Sequence, residues 1–267
     1  MDATYWQKQT DKPLFETLMW SRPEYKMHAG KLLIIGGNAH GFAAPAEAYD
    51  QARKAGVGSA RVVLPDAIKK IIKAFLDKAE FAASTPSGSF AADAYGELIL
   101  QSEWADGVLL AGDLGRNSET AVILEKFTNN YTGQLTITKD ALEYFHDTPE
   151  SITKRPDTTI VCTIAQLQKL LQKSGYARPV TFGMDLVQLV DVLHDFSSTH
   201  ECNIVIKHMQ NLIVACNGQV SSTKLTDDLE HWRVKTAAHT CTWWLQNKNK
   251  PFESMTTAIY NMFDEKS

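Results

Sequence analysis

The 267-residue chain predicts an α/β fold built on a mostly parallel central sheet flanked by helices. Three observations carry that expectation. Short continuous apolar runs recur, as strands buried on both faces of a parallel sheet require. Segments with helical spacing alternate with those runs, the pattern of right-handed βαβ units. Further on, "NLIVACNGQV" sets Asn217 and Gly218 between two β-prone runs, which predicts an antiparallel hairpin toward the C-terminal part.

The elements follow in order. After an N-terminal arm, residues 1–25, "KLLIIGG" reads as a buried strand ending in glycines. Residues 44–55 are alanine-rich with no interior glycine, so they should be helical, and Gly56 and Gly58 end that helix before the strand "ARVVLP". "ASTPSGS", residues 83–89, has the composition of a flexible loop. "ADGVLLAG", the loop "DLGRNSE" and the helix "TAVILEKFTNN" repeat the cycle. "GQLTIT" with "KDALEYF", then "TTIVCT" with "IAQLQKLLQKSG", give two more strand and helix pairs. Apolar positions three and four apart over 184–196 mark a helix with one buried face. The strand "CNIVIKH" and the hairpin come next, and helices over 229–246 and 252–263 end the pattern. No repeat or long linker divides the chain, so residues 1–267 read as one domain.

Composition narrows the function classes. A formal charge of −4 gives no general attraction to nucleic acid or to an anionic membrane, whose partners show a basic patch or stripe. No apolar run approaches the roughly 20 residues that cross a bilayer, and the N-terminus lacks the charged and apolar regions of a signal peptide. A soluble, cytoplasmic protein is expected. Cys162, Cys202, Cys216 and Cys241 form no CxxC pair, and each lies in or beside an apolar segment, which suits reduced core thiols.

The loop "GGNAHGFAAP" poses the first question of chemistry. A dinucleotide fingerprint needs GxGxxG with an acidic residue about 20 positions on, and this spacing fails. What its residues still offer is close backbone approach at Gly36 and Gly37 and a following helix start that favours negative charge. A plain strand-to-helix turn and a ligand site both remain open on spacing alone. His194, His200 and Cys202 span a helix end and a strand start, which suits side-chain packing better than metal ligation. Asp185, Asp191 and Asp195 read as solvent-facing carboxylates of a helix, and Trp232, Trp243 and Trp244 as packing for a core or a subunit contact.

Longer stretches carry a family resemblance. "HAGKLLIIGGNAHGFAAPAEAYDQARKAGVGSARVVLP" resembles the first conserved block of the ADP- or ATP-dependent NAD(P)H-hydrate dehydratases, with Lys26, Gly30, Gly36, Gly37, Ala44, Pro45, Gly56 and Gly58 in register. "ADGVLLAGDLGRNSET" is similar to that family's "DALVIGPGLGRDEET", matching at Leu114, Gly115, Arg116, Glu119 and Thr120. Beyond Gly133 the likeness thins. Asp140, Ala141 and Leu142 keep the end of the family's DADAL, whose first Asp is Thr138 here. Its His-Pro-Gly-Glu appears as Thr163, Ile164, Ala165 and Gln166, and Lys207 keeps the lysine of a conserved strand and hairpin.

The resemblance implies a ribokinase-like fold, a homo-oligomer, ATP or ADP with Mg²⁺, and NAD(P)H hydrate as candidate substrate. It implies a nucleotide or substrate site at Gly36, Gly37, Asn38, Ala44, Pro45, Gly115, Arg116, Lys207 and Thr240, with Arg116 able to grip phosphate bidentately. The superfamily also sets a Gly-Thr-Gly-Asp turn at a helix start, whose amides hold the phosphate in flight while the carboxylate acts as base. Matched to "VKTAAHTCTWWLQ", that Asp falls on Cys241 or Thr242, and no Asp or Gly lies between Lys235 and Leu245. His239 is the nearby group that could accept a proton, although a buried histidine is more commonly structural. No catalytic residue and no metal ligand is therefore assigned. Three functions remain open: an impaired relative that keeps a nucleotide or dinucleotide pocket, a working dehydratase, and an oligomeric scaffold without a small-molecule ligand.

Overall fold

The apolar runs become neighbours in one sheet. The computed structural model describes residues 4–72, 79–225 and 232–264. Its strands are β1 (Trp6–Gln9), β2 (Lys31–Gly36), β3 (Ser59–Pro65), β4 (Ala79–Ala82), β5 (Gly107–Gly112), β6 (Gln134–Thr138), β7 (Thr158–Cys162), β8 (Asn203–His208), β9 (Asn211–Cys216) and β10 (Gln219–Lys224), in the spatial order β1-β10-β9-β8-β7-β6-β5-β2-β3-β4. Every neighbouring pair is parallel except β8 with β9 and β9 with β10, so β9 runs against the rest. The expected hairpin is β9–β10. Cys216 pairs with Gln219, leaving Asn217 and Gly218 as a two-residue loop at φ 48° and 76°, the left-handed pair that a type I′ turn requires.

Alternation along the strands divides the apolar residues between two cores. In β2, Leu33 and Ile35 face one core while Leu32 and Ile34 face the other, and all four are fully buried. The first core is covered by α4 (Ala94–Trp104), α5 (Ser118–Asn130), α7 (Ile164–Lys173) and α8 (Leu186–Thr199). The second is covered by α2 (Ala43–Lys54), α9 (Trp232–Gln246) and α10 (Pro251–Asp264). Burying one such leucine or isoleucine side chain is worth roughly 1.5–3 kcal/mol, so the two layers supply the main driving force. Trp232, Trp243 and Trp244 are all buried, and the four cysteines are buried and free of disulfides.

Several segments differ from expectation. Trp6–Gln9, within the N-terminal arm, forms a strand on the edge of β10; Gln9 is buried and donates to Thr223 Oγ1 at 2.9 Å and to Thr256 O at 3.0 Å. β4 and α4 have no counterpart in the predicted pattern. "KDALEYF" forms a 3-10 helix rather than an α-helix, because its first residues are recruited to the end of β5, as described below. Residues 83–89 are organised: Thr85 and Ser89 are buried, and the backbone closes through Thr85 N–H to Ser89 O and Gly88 N–H to Thr85 O, both at 2.8 Å. Asp185 is the N-cap of α8, while Asp191 and Asp195 pair with Arg178, so these carboxylates are engaged rather than merely solvated. His194 stacks on Tyr5 and bonds Gly218 O, and His200 stacks on Phe196. The first residues expected of the helix over 229–246 lie outside the described residues.

Candidate functional site

β2 pairs with β3 on one side and with β5 on the other, so the chain reverses its direction of travel across the sheet at β2. In open α/β sheets ligands bind outside the carboxyl ends of the strands at such a point. Gly36, Gly37, Asn38, Ala44, Pro45, Gly115 and Arg116 all lie at this edge, in the segments that follow β2 and β5.

Close backbone contact explains the glycines. A Cβ on Gly36 would lie 2.5 Å from Gly112 O, and Gly37, at φ 83°, donates its N–H to that same oxygen at 3.0 Å. Asn38 continues the seam: its Nδ2 donates to Asp113 O at 2.5 Å and its Oδ1 accepts the His40 N–H at 2.7 Å. The crevice between β2 and β5 is thus bridged by the protein's own groups.

The carboxylate of Asp113 sits in the middle. Oδ2 accepts the Ala44 N–H at the start of α2 at 2.7 Å, and Oδ1 accepts from Lys139 Nζ at 2.7 Å. α2 has no cap from its own N-cap residue, Phe42, so an aspartate from the neighbouring strand end supplies one. Asp113 and Lys139 are both left-handed, at φ 57° and 55°, a conformation that costs a non-glycine residue roughly 1–2 kcal/mol. The Asp140 carboxylate offsets this by accepting the N–H groups of Asp113 at 2.7 Å and Leu114 at 2.9 Å. Ala44 and Pro45 are buried beneath these contacts.

Beyond β5, on the β6 side, a pocket of about 520 Å³ opens between Gly115, Arg116, Asn117, Ser118, Asp140, Glu143 and Tyr144. Asn117 caps α5 by accepting the N–H groups of Glu119 and Thr120. Glu119 accepts the Ala92 N–H and Thr120 donates to Phe90 O, so the matched Glu-Thr pair fastens α5 beside α4. Tyr144 donates its hydroxyl to Gly115 O at 2.6 Å, and burial chiefly holds its phenol above the ordinary value. Arg116 is exposed and makes no hydrogen bond or ion pair among the described residues.

The other two expected residues lie elsewhere. Lys207 is on β8, three strands from β5, about 14 Å away at the usual strand spacing. Thr240 is fully buried in the body of α9, its hydroxyl donating to Thr236 O at 2.7 Å. α9 runs against the parallel strands. Its last turn lies at their amino ends, with Leu245 against Gly30 and Gly107, and its first described residues are at the carboxyl edge, where Arg233 reaches Gln166 Oε1 at 3.5 Å. Thr240, Cys241 and Thr242, to which the superfamily's turn was matched, are thus in the middle of α9, and the described part of this helix opens Trp232-Arg233-Val234-Lys235. His239 is likewise mid-helix; burial, and after it the charges of Lys235, Arg22 and Lys54, lower its pKa to about 3, and Nε2 faces Gln51 Oε1 at 3.2 Å.

Gln166 links the parts. It closes a capping box with Thr163 at the start of α7 and donates to Lys139 O at 2.7 Å, so the segment matched to His-Pro-Gly-Glu braces the end of β6. Sequence reasoning missed Asp113 and Lys139; the available signal was a charged residue directly after each of two apolar strands. As for Mg²⁺, both oxygens of Asp113 and of Asp140 are already occupied, and no group of three metal-binding side chains exists among the described residues. These residues do not form a protein cage for the ion.

No family model matches the chain, and no curated protein matches it. Solved structures do. The chain is similar to a ribokinase-like superfamily protein from Enterococcus faecalis V583, at 15% identity over 98% of this chain and 87% of that one, with a TM-score of 0.71. It is similar to an ADP/ATP-dependent NAD(P)H-hydrate dehydratase from Bacillus subtilis co-crystallized with ATP and Mg²⁺, at 13% identity over 94% and 87%, with a TM-score of 0.61. A phosphomethylpyrimidine kinase from Clostridium difficile 630 matches at 11% identity over 88% and 99%, with a TM-score of 0.54. Identities of this size speak to architecture, not to activity. The chain has the ribokinase-like fold.

Proposed function

We propose that this protein is a divergent, dehydratase-like member of the ribokinase-like fold that binds a nucleotide or dinucleotide and has lost efficient phosphoryl transfer. The observation that carries this reading is the stretch matched to the superfamily's Gly-Thr-Gly-Asp turn: no aspartate and no glycine lies between Lys235 and Leu245, and Thr240, Cys241 and Thr242 are buried within α9. That stretch offers neither the glycine amides nor the carboxylate that phosphoryl transfer of the superfamily type uses. Losing one such anion-stabilising donor costs roughly 3–4 kcal/mol, and a general base alone contributes about 10² to 10⁴ in rate. The pocket beside Arg116 supports ligand binding: its volume suits a nucleotide portion, and an exposed guanidinium suits phosphate. Mg²⁺ would then arrive on the nucleotide phosphates.

Incubation with hydrated NADH, Mg²⁺ and either ADP or ATP, following the return of reduced-cofactor absorbance, tests the loss of transfer. Turnover at least about a thousandfold below an intact dehydratase is expected; rates typical of enzymes would overturn it. Thermal-shift measurements with ATP, ADP, AMP, NAD and NADP test the pocket, since a ligand of the native state raises its melting temperature. No shift with any of them favours a scaffold.

One sequence feature favours the working-dehydratase reading instead. Residues 226–231, which precede Trp232 in the sequence and lie outside the described residues, read "TDDLEH" and contain Asp227, Asp228 and Glu230. If turnover is enzyme-like, an Asp227→Asn/Asp228→Asn variant should abolish it.

A further inference from the structure

We infer that Asp113 is a built-in substitute for a ligand anion, and that it decides which part of the carboxyl edge can accept a phosphate. This deepens, and rests on, the reading of that edge as a nucleotide site. The two oxygens of this one carboxylate are held by two donors of different kinds: a helix-start N–H, from Ala44, and an ammonium, from Lys139, each at 2.7 Å. That is the donor set a bound phosphate oxygen pair would draw on. The group sits between β2 and β5, where the strand order reverses and a ligand is expected.

Both residues depart from the pattern the chain otherwise resembles. Aligned on Leu114-Gly115-Arg116, Asp113 stands at the second glycine of "GPGLGR"; aligned on Asp140-Ala141-Leu142, Lys139 stands at the first alanine of "DADAL". Neither glycine nor alanine could fill the position. Here a carboxylate and its partner cation occupy it together, and both hold left-handed backbone to do so. With the α2 start satisfied by Asp113 and the α5 start capped by Asn117, the anion-binding capacity that remains beside Asp113 is that of the exposed Arg116.

Removing the carboxylate while keeping both donors should turn the position into an anion site. Asp113→Gly does this, because glycine adopts a φ of 57° without strain. Titration calorimetry with orthophosphate and with ADP should show binding at least about tenfold tighter than in the parent. Adding Lys139→Ala should cancel the gain. Asp113→Asn, which keeps an acceptor for Ala44 but removes the charge, should give a smaller gain in the same direction and serves alone if the glycine variant fails to fold. Unchanged or weaker affinity in the folded variants, or a gain that survives Lys139→Ala, overturns the inference. An Arg116→Ala background separates the two claims: there the parent should lose its nucleotide binding, while Asp113→Gly should still gain orthophosphate binding.

Discussion

The Asp140 carboxylate accepts the backbone N–H of Asp113 at 2.7 Å, so the end of β6 fixes the left-handed residue that ends β5. Its second oxygen takes the Leu114 N–H. Hydrogen bonds to a charged group are worth about 1.5–3 kcal/mol each, and both N–H groups would lose their partner together. Asp140→Ala is expected to lower the unfolding free energy by about 3 kcal/mol in urea denaturation and to abolish any nucleotide-induced thermal shift. Asp140→Asn should retain part of the stability.

Arg116 gives the opposite pattern. Its side chain is exposed and unpaired among the described residues, so Arg116→Ala should leave the ligand-free unfolding free energy within about 0.5 kcal/mol of the parent. The thermal shift with ADP or ATP should disappear. A persistent shift would move the phosphate contact away from this residue.

His239 makes stability depend on pH. Its folded pKa is lowered to about 3, chiefly by burial. Above about pH 6.5 the histidine is neutral both folded and unfolded, and its contribution is complete. As pH falls from there toward 3, the unfolded chain takes up a proton that the folded chain refuses, so stability is lost. At pH 5 the loss is about 2 kcal/mol. Urea denaturation at pH 7 and pH 5 should show that difference in the parent, and His239→Gln should reduce it.

Two glycines should respond in opposite directions. Gly36→Ala would bring a Cβ to 2.5 Å from Gly112 O and should cost about 2–4 kcal/mol, because backbone must move. Gly96, inside α4, has nothing within 4 Å of its Cβ position. Gly96→Ala should stabilise the protein by about 0.5–1 kcal/mol. Paired thermal melts of the two variants check both signs.

What was legible in the sequence was what depends on local pattern. The strands β2 and β5 are nearly continuous apolar runs and β3, β6, β7 and β8 carry short ones because the sheet is covered on both faces, and Asn217-Gly218 is a turn that backbone sterics dictate. Trp6–Gln9 was not legible, since an edge strand reading Trp-Gln-Lys-Gln has no apolar run. β4 and α4 were hidden for related reasons: the first is four residues long, and the second carries Gly96. At the site, matching Leu114-Gly115-Arg116 drew attention past Asp113, whose role depends on Lys139 and Ala44 from two other segments. That Thr240 lies in the middle of α9 depends on how far the helix runs back across the sheet, which no local spacing encodes.

The pairing of β1 with β10 has a consequence in time. Gln9 and its partner Thr223 are 214 positions apart, so a chain emerging from the ribosome makes one strand of this pair long before the other. At synthesis rates of about 5–20 residues per second, the first strand waits roughly 10–40 s for its partner. Throughout that interval its backbone groups have water, or another chain, as their alternatives. The outermost seam of the sheet is therefore the last to close during synthesis, and conditions that slow elongation should lengthen its exposure to association with neighbouring nascent chains.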